Sequence, residues 1–115
     1  MATRNPDVLI AGTYVGNTDT TLATAPAQTR YTVTAAYAYN ADTSAVENIK
    51  IHRVESGGSV SEEKVLQPAT GIAPTESIPL DFLIGSVLNP GDFFSGIAST
   101  ASKVSVQIFM SRYIS

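Results

Sequence analysis

Two stretches of this chain alternate with a period of two, and that period is the tightest constraint on what it can fold into. In Thr29–Asn40 (TRYTVTAAYAYN) Tyr31, Val33, Ala35, Tyr37 and Tyr39 fall on one side, and Arg30, Thr32, Thr34, Ala36 and Ala38 on the other. In residues 103–112 Val104, Val106, Ile108 and Met110 alternate with Ser105, Gln107, Phe109 and Ser111. Successive side chains of a strand point to opposite faces of a sheet, so this spacing describes half-buried β-strands. The tyrosine side of 29–40 is expected to face the core, with hydroxyls at the rim rather than on an exposed platform. The small side is free to lie against another sheet or subunit.

The rest of the chain carries the same grammar. Residues 8–15 (VLIAGTYV) are apolar and β-branched, bounded by Pro6 and Gly16, and read as a strand. Residues 46–54 alternate again, with Ile49 and Ile51 on the side of Glu47 and Arg53, opposite Lys50, His52 and Val54. Residues 41–45 form a polar turn between these strands, and Gly57-Gly58 breaks the second. Residues 60–72 read as a weaker strand ending near Pro68, and 92–99 as another strand. The helical spacing in 80–88 is interrupted by Gly85, so a single helical or 3₁₀ turn is expected there. Asn89-Pro90-Gly91-Asp92 is a turn signal, with proline presetting φ and glycine accepting a positive one. Residues 1–7 read as a loose N-terminal arm, and the Thr/Ala-rich 16–28 as an extended loop. The expectation is one all-β domain over 8–115: an antiparallel, jelly-roll-like β-sandwich or small barrel of about six to eight short strands.

The 115 residues suit one domain, and the 43% apolar content is enough for its core. Charged residues make up only 15%, so much of the surface must be Ser, Thr, Asn and Gln, which suits close packing against neighbours. A net charge of −3 with seven scattered Lys and Arg argues against nucleic acid as a partner. No apolar run is long enough to span a bilayer, so no membrane partner is expected. Residues 1–6 lack the apolar core of a secretory signal.

Chemistry has little to stand on. With no cysteine, a thiolate metal site, a thiol nucleophile and a disulfide framework are excluded; with one histidine a zinc site is not expected, nor is any cofactor. His52 has no nucleophile motif around it and reads as a solvated or hydrogen-bonded strand residue. No calcium-loop pattern links the carboxylates, and the glycines form no phosphate cradle. The chain is therefore expected not to be an enzyme. The segments that pack poorly on their own domain are better candidates for contact with a partner: Arg4, Asn5 and Pro6 in the arm, Thr20, Thr21 and Leu22 in the loop, and Tyr113 and Ile114 at the end.

Residues 29–112 resemble small β-sandwich structural proteins of tailed bacteriophages. The likeness rests on the strand ending at Asn40, on Glu76-Ser77-Ile78, on Leu88 with Pro90-Gly91-Asp92, on Ala98-Ser99 and on Val104 to Ile108. The resemblance implies a virion component assembled in the host cytoplasm, of the capsid decoration or cement type. Its partners would be the major capsid protein or other virion proteins, and it would be a homo-oligomer, a trimer in the first instance. A head–tail connector or tail component, and a carbohydrate- or receptor-binding module, are the alternatives. The last would need an exposed aromatic platform, and the chain has no Trp.

Overall fold

In the computed structural model, which describes residues 3–114 and the side chains of 13–113, the alternating segments pair into two antiparallel sheets. The strands are β1 (Thr3–Tyr14), β2 (Thr20–Thr24), β3 (Thr29–Asn40), β4 (Glu47–Val54), β5 (Val65–Ile72), β6 (Ser77–Pro79), β7 (Val87–Leu88), β8 (Phe93–Ala98) and β9 (Val104–Ile114). The first sheet runs β1-β9-β3-β6, with β7 also on β3, and the second runs β2-β8-β4-β5. Successive strand positions from the two ends pair in order: β1 with β9, β2 with β8, β3 with β6 and β7, and β4 with β5. A long antiparallel ribbon rolled up in this way is a jelly-roll sandwich.

The inner faces make one core. The first sheet contributes Tyr31, Val33, Ala36, Ala38, Val104, Val106, Ile108 and Met110, and the second Leu22, Ile49, Ile51, Ile72 and Phe94. The four inward residues expected on β9 are all buried. β9 pairs with β3 through an unbroken run of its own residues, so its period of two survives from end to end.

On β3 the period fails, and the cause is one residue. Val33 pairs with Met110 and Ala35 with Phe109, leaving Thr34 as an extra residue opposite none. Such a bulge shifts the alternation by one. Before it, Tyr31 and Val33 face the core. After it, Ala36, Ala38 and Asn40 do, and Tyr37 and Tyr39 turn outward. Tyr31 is accordingly 8% exposed, but Tyr37 and Tyr39 are 47% and 40% exposed, against the expectation of a single buried tyrosine stripe. The bulge is held by Thr34 Oγ1, which donates to the Phe109 carbonyl at 3.1 Å. Beside it, the first sheet's fourth strand is interrupted by residues 80–86. The Leu80 and Gly85 amides donate to the Ala36 and Val33 carbonyls, and Val33 N donates to the Ser86 carbonyl. Leu80 and Leu83 fill the core there. The expected helical turn at 80–88 takes the form of i to i+3 turns at Leu80–Leu83 and Asp81–Ile84, followed by β7.

Three further expectations are corrected. Residues 3–7 are no loose arm: they open β1, with Thr3, Arg4 and Asn5 paired to Ile114, Tyr113 and Arg112. A register shift between Asn5 and Val8 spans Pro6, which has no amide hydrogen to give the ladder. Within 16–28, Thr20–Thr24 form β2 rather than loop, because β8 offers an edge to pair with. Gly96 on β8 leaves room for Leu22: a Cβ there would meet Leu22 Cδ1 at 3.0 Å and Val15 Cγ1 at 3.3 Å. Pro68 lies within β5 rather than at a strand end, tolerated because β5 is a sheet edge. The Asn89–Asp92 turn closes as expected, with Gly91 at φ +88° and Asp92 N donating to the Asn89 carbonyl at 2.9 Å.

Deleting Thr34 would remove the bulge while leaving Val33, Ala36 and Ala38 inward and Tyr37 and Tyr39 outward, because only the extra residue is lost. The deletion should therefore keep a single cooperative urea transition followed by tyrosine near-ultraviolet circular dichroism. Phe94→Ala, at a fully buried site, should lower unfolding free energy by roughly 3–5 kcal/mol in the same assay.

Candidate functional site

The two sheets differ in what they show to solvent. The described ion pairs all involve the second sheet and its flanking turns: Lys50–Glu62 at 2.6 Å, Arg53–Asp92 at 2.8 Å and Lys64–Glu55 at 2.9 Å. Arg53 also donates through Nε to the Val87 carbonyl on the opposite sheet, so it latches one end of the sandwich. His52 is buried on β4, paired with Ser95, rather than solvated, and its Nδ1 meets no hydrogen-bond partner among the described residues. Among those residues no three of His, Asp and Glu are gathered as metal ligands would be.

The outer face of the first sheet is aromatic and neutral at its Asn40 end. Directly paired residues share a face, so one transverse row reads Tyr14, Ser105, Tyr39, Ser77 across β1, β9, β3 and β6. The next row reads Gln107, Tyr37, Pro79. The Tyr37 ring meets Phe109 edge to face, with centroids 6.4 Å apart and planes at 81°. Between the rows lies an open groove of about 270 Å³ over Ala38, lined by Tyr37, Tyr39, Ser77, Ser105 and Gln107. Small serines beside large tyrosines make the depression. At the edge of the same sheet, the loop after β6 exposes Phe82 and Ile84.

The turn that follows Tyr39 is tightly fixed. Asn40 is fully buried, and its Nδ2 donates to the Ala45 and Ile72 carbonyls at 3.0 and 2.9 Å. Its Oδ1 accepts from Asp42 N at 2.9 Å. The Asp42 carboxylate accepts from the amides of Ser44 and Ala45 at 2.9 and 3.2 Å. The Ser44 amide first, and then a hydrogen bond with the Glu47 side chain, hold the Asp42 carboxyl down to about 2. Hydrogen bonds from Lys64 and Lys50 lower Glu55 and Glu62 from the ordinary value of 4.5.

The residues singled out in the sequence do not form one site. Arg4, Asn5 and Tyr113 meet through the β1–β9 ladder at one end of the first sheet, where the Arg30 guanidinium lies 5.1 Å from the centre of the Tyr113 ring. The side chains of Arg4, Asn5, Pro6 and Ile114 lie outside those described. Thr20 and Thr21 lie on the edge of the other sheet. Thr20 Oγ1 serves its own turn, accepting from Gly16 N and donating to the Thr18 carbonyl. Leu22 belongs to the core and is not available to a partner. The tyrosine face was missed because its signal is a bulge, and the only local trace of that is the Thr34-Ala35-Ala36 run that breaks the spacing of large residues.

No known protein family matches the chain, and no curated protein is similar to it in sequence. Solved structures do share its shape. One comes from Bacillus endospore appendages, described as a family of disulfide-linked pili, with 16% identity and a TM-score of 0.53 over 98% of this chain and 88% of that one. Another is a chain of the T13 IBDV viral particle, with 9% identity and a TM-score of 0.52 over 99% of this chain. This chain spans only 31% of that viral chain. The likeness is one of fold: an antiparallel β-sandwich of a kind found in a pilus and in an icosahedral virus particle. No described helix is long and apolar enough to cross a membrane.

The lowered carboxyls set a pH dependence. Each titrates below its unfolded value of 3.8 or 4.5, so what its contacts contribute is complete above pH 4.5 and is lost as pH falls through the folded value. Carbon-13 titration should find the Asp42 carboxyl half-protonated near pH 2, and Ser44→Pro, which removes the first amide donor, should move it back toward 3.8.

Proposed function

We propose that the protein is a non-catalytic structural subunit, a decoration or cement protein on the capsid of a tailed bacteriophage. The observation that carries this reading is the loop after β6, where Phe82, 60% exposed, and Ile84 stand out on a rigid sandwich edge. Leu80 and Leu83 anchor the loop in the core while their neighbours point to solvent. Large apolar side chains held rigidly outward favour contact with another protein, since little side-chain freedom remains to be lost on docking. The fold shared with a pilus and a virus particle supports an assembly role, and the phage resemblance of 29–112 supports the shell as its place. With no cysteine, copies of this chain cannot be joined by disulfides, so its contacts are apolar and polar burial. Many symmetric weak contacts add through avidity, and a trimer bridging neighbouring capsomers fits that scheme.

Copy number and position in the particle test the assignment. Cryo-electron microscopy should show the protein spread over the whole shell. A single ring at one vertex would instead make it a connector, and absence from particles would end the virion reading. Phe82→Ser with Ile84→Ser should lower co-sedimentation with undecorated shells at least tenfold while leaving the urea midpoint unchanged.

A further inference from the structure

We infer that the groove between Tyr37 and Tyr39 is a binding site for one ring of a neutral saccharide. The inference goes beyond the structural role and does not rest on it, because the groove lies at the Ser77 end of β6 while the Phe82 loop follows its Pro79 end.

The lining has the chemistry that recognises a sugar. Tyr37 and Tyr39 follow one another on the outward side of β3, about 7 Å apart along the strand. Aromatic faces at that spacing suit the C–H faces of a pyranose, and the Phe109 edge contact steadies one of them. Around the rings stand the hydroxyls of Ser77 and Ser105 and the amide of Gln107. Each can donate and accept. None of these three side chains, nor either tyrosine hydroxyl, makes a hydrogen bond to another described residue, so all five groups remain free for a ligand. They stand on three different strands and converge from both sides of β3. A ligand bearing hydroxyls in several directions uses such a ring of groups. A flat heterocycle presents polar atoms only at its own edge and leaves most of them unpaired.

Charge and size narrow the class. Among the described residues no Lys, Arg, Asp or Glu lines the groove, so none of them selects a phosphate, a sulfate or an acidic sugar. The volume of about 270 Å³ lies just below the usual lower limit of ligand pockets, roughly 300 Å³. It admits one ring rather than the broad surface, ~800 Å² per partner, of a stable protein interface. The opening is wide enough for the rest of a glycan to continue into solvent, so the unit bound is a terminal or protruding residue of a longer chain.

Saturation-transfer proton NMR with maltose, cellobiose, lactose and N,N′-diacetylchitobiose as probes tests the site on the whole protein. At least one of these should receive transfer from the wild type. Tyr39→Ala should abolish the signal, Gln107→Ala should weaken binding at least tenfold, and both should keep the wild-type urea midpoint because these side chains are exposed. Tyr39→Phe should retain the stacking and bind more weakly than wild type but more tightly than Tyr39→Ala. Absence of transfer to every probe would overturn the proposal, as would transfer that persists in Tyr39→Ala.

Discussion

A single unpaired residue in β3 governs how this molecule divides itself between inside and outside. With Thr34 set aside by its bond to Phe109, the strand can present Tyr31 and Val33 to the core at one end and Ala36 and Ala38 at the other. The two halves suit different surroundings. Tyr31 and Val33 are large, Ala36 and Ala38 small, and all four are buried. The same shift opens a gap beside β3 that residues 80–86 fill, with Leu80 and Leu83 supplying the apolar volume that the alanines lack. Core packing, strand interruption and the aromatic exterior are thus three outcomes of one local irregularity.

How much of this could be read beforehand depended on whether a strand's period survived. β9 could be read as far as Met110, because it runs through the centre of its sheet with no extra residue of its own, and β4 as far as Ile51. Beyond them Ser111, His52 and Val54 are buried although they fall on the sides read as outward or polar. β3 was placed correctly as a strand but with half its faces inverted, since a bulge costs one residue in the ladder and leaves almost no mark on composition. β2 was invisible: its one large residue, Leu22, means little until β8, some seventy residues away, supplies Gly96 beneath it. Residues 3–7 looked unstructured for a similar reason, as their pairing partners lie at the far end of the chain. The groove could not be foreseen at all, because its five lining groups come from β3, β6 and β9 and meet only once the ribbon is rolled.

The division of labour between the sheets follows from their charge. The second sheet carries the ion pairs and the turns they brace, including the Arg53–Asp92 bond that ties its end to the first sheet through Val87. Its exterior is paired and hydrated. At its Asn40 end the described outer face of the first sheet carries tyrosine, serine and glutamine, which are soluble without being strongly hydrated. A neutral, amphipathic exterior can be left by water at little cost, and that is a property of surfaces that meet other molecules.

The rolled ribbon also dictates how the protein would respond to being pulled. Thr3 and Ile114 are neighbours in one antiparallel ladder, so tension applied through both termini would open β1 from β9 one hydrogen bond at a time, like a zip. Load entering through a lateral face would instead have to slide whole strands past one another, breaking many bonds at once. A sandwich of this kind resists shear across its faces yet peels readily from the one corner where its first and last strands meet.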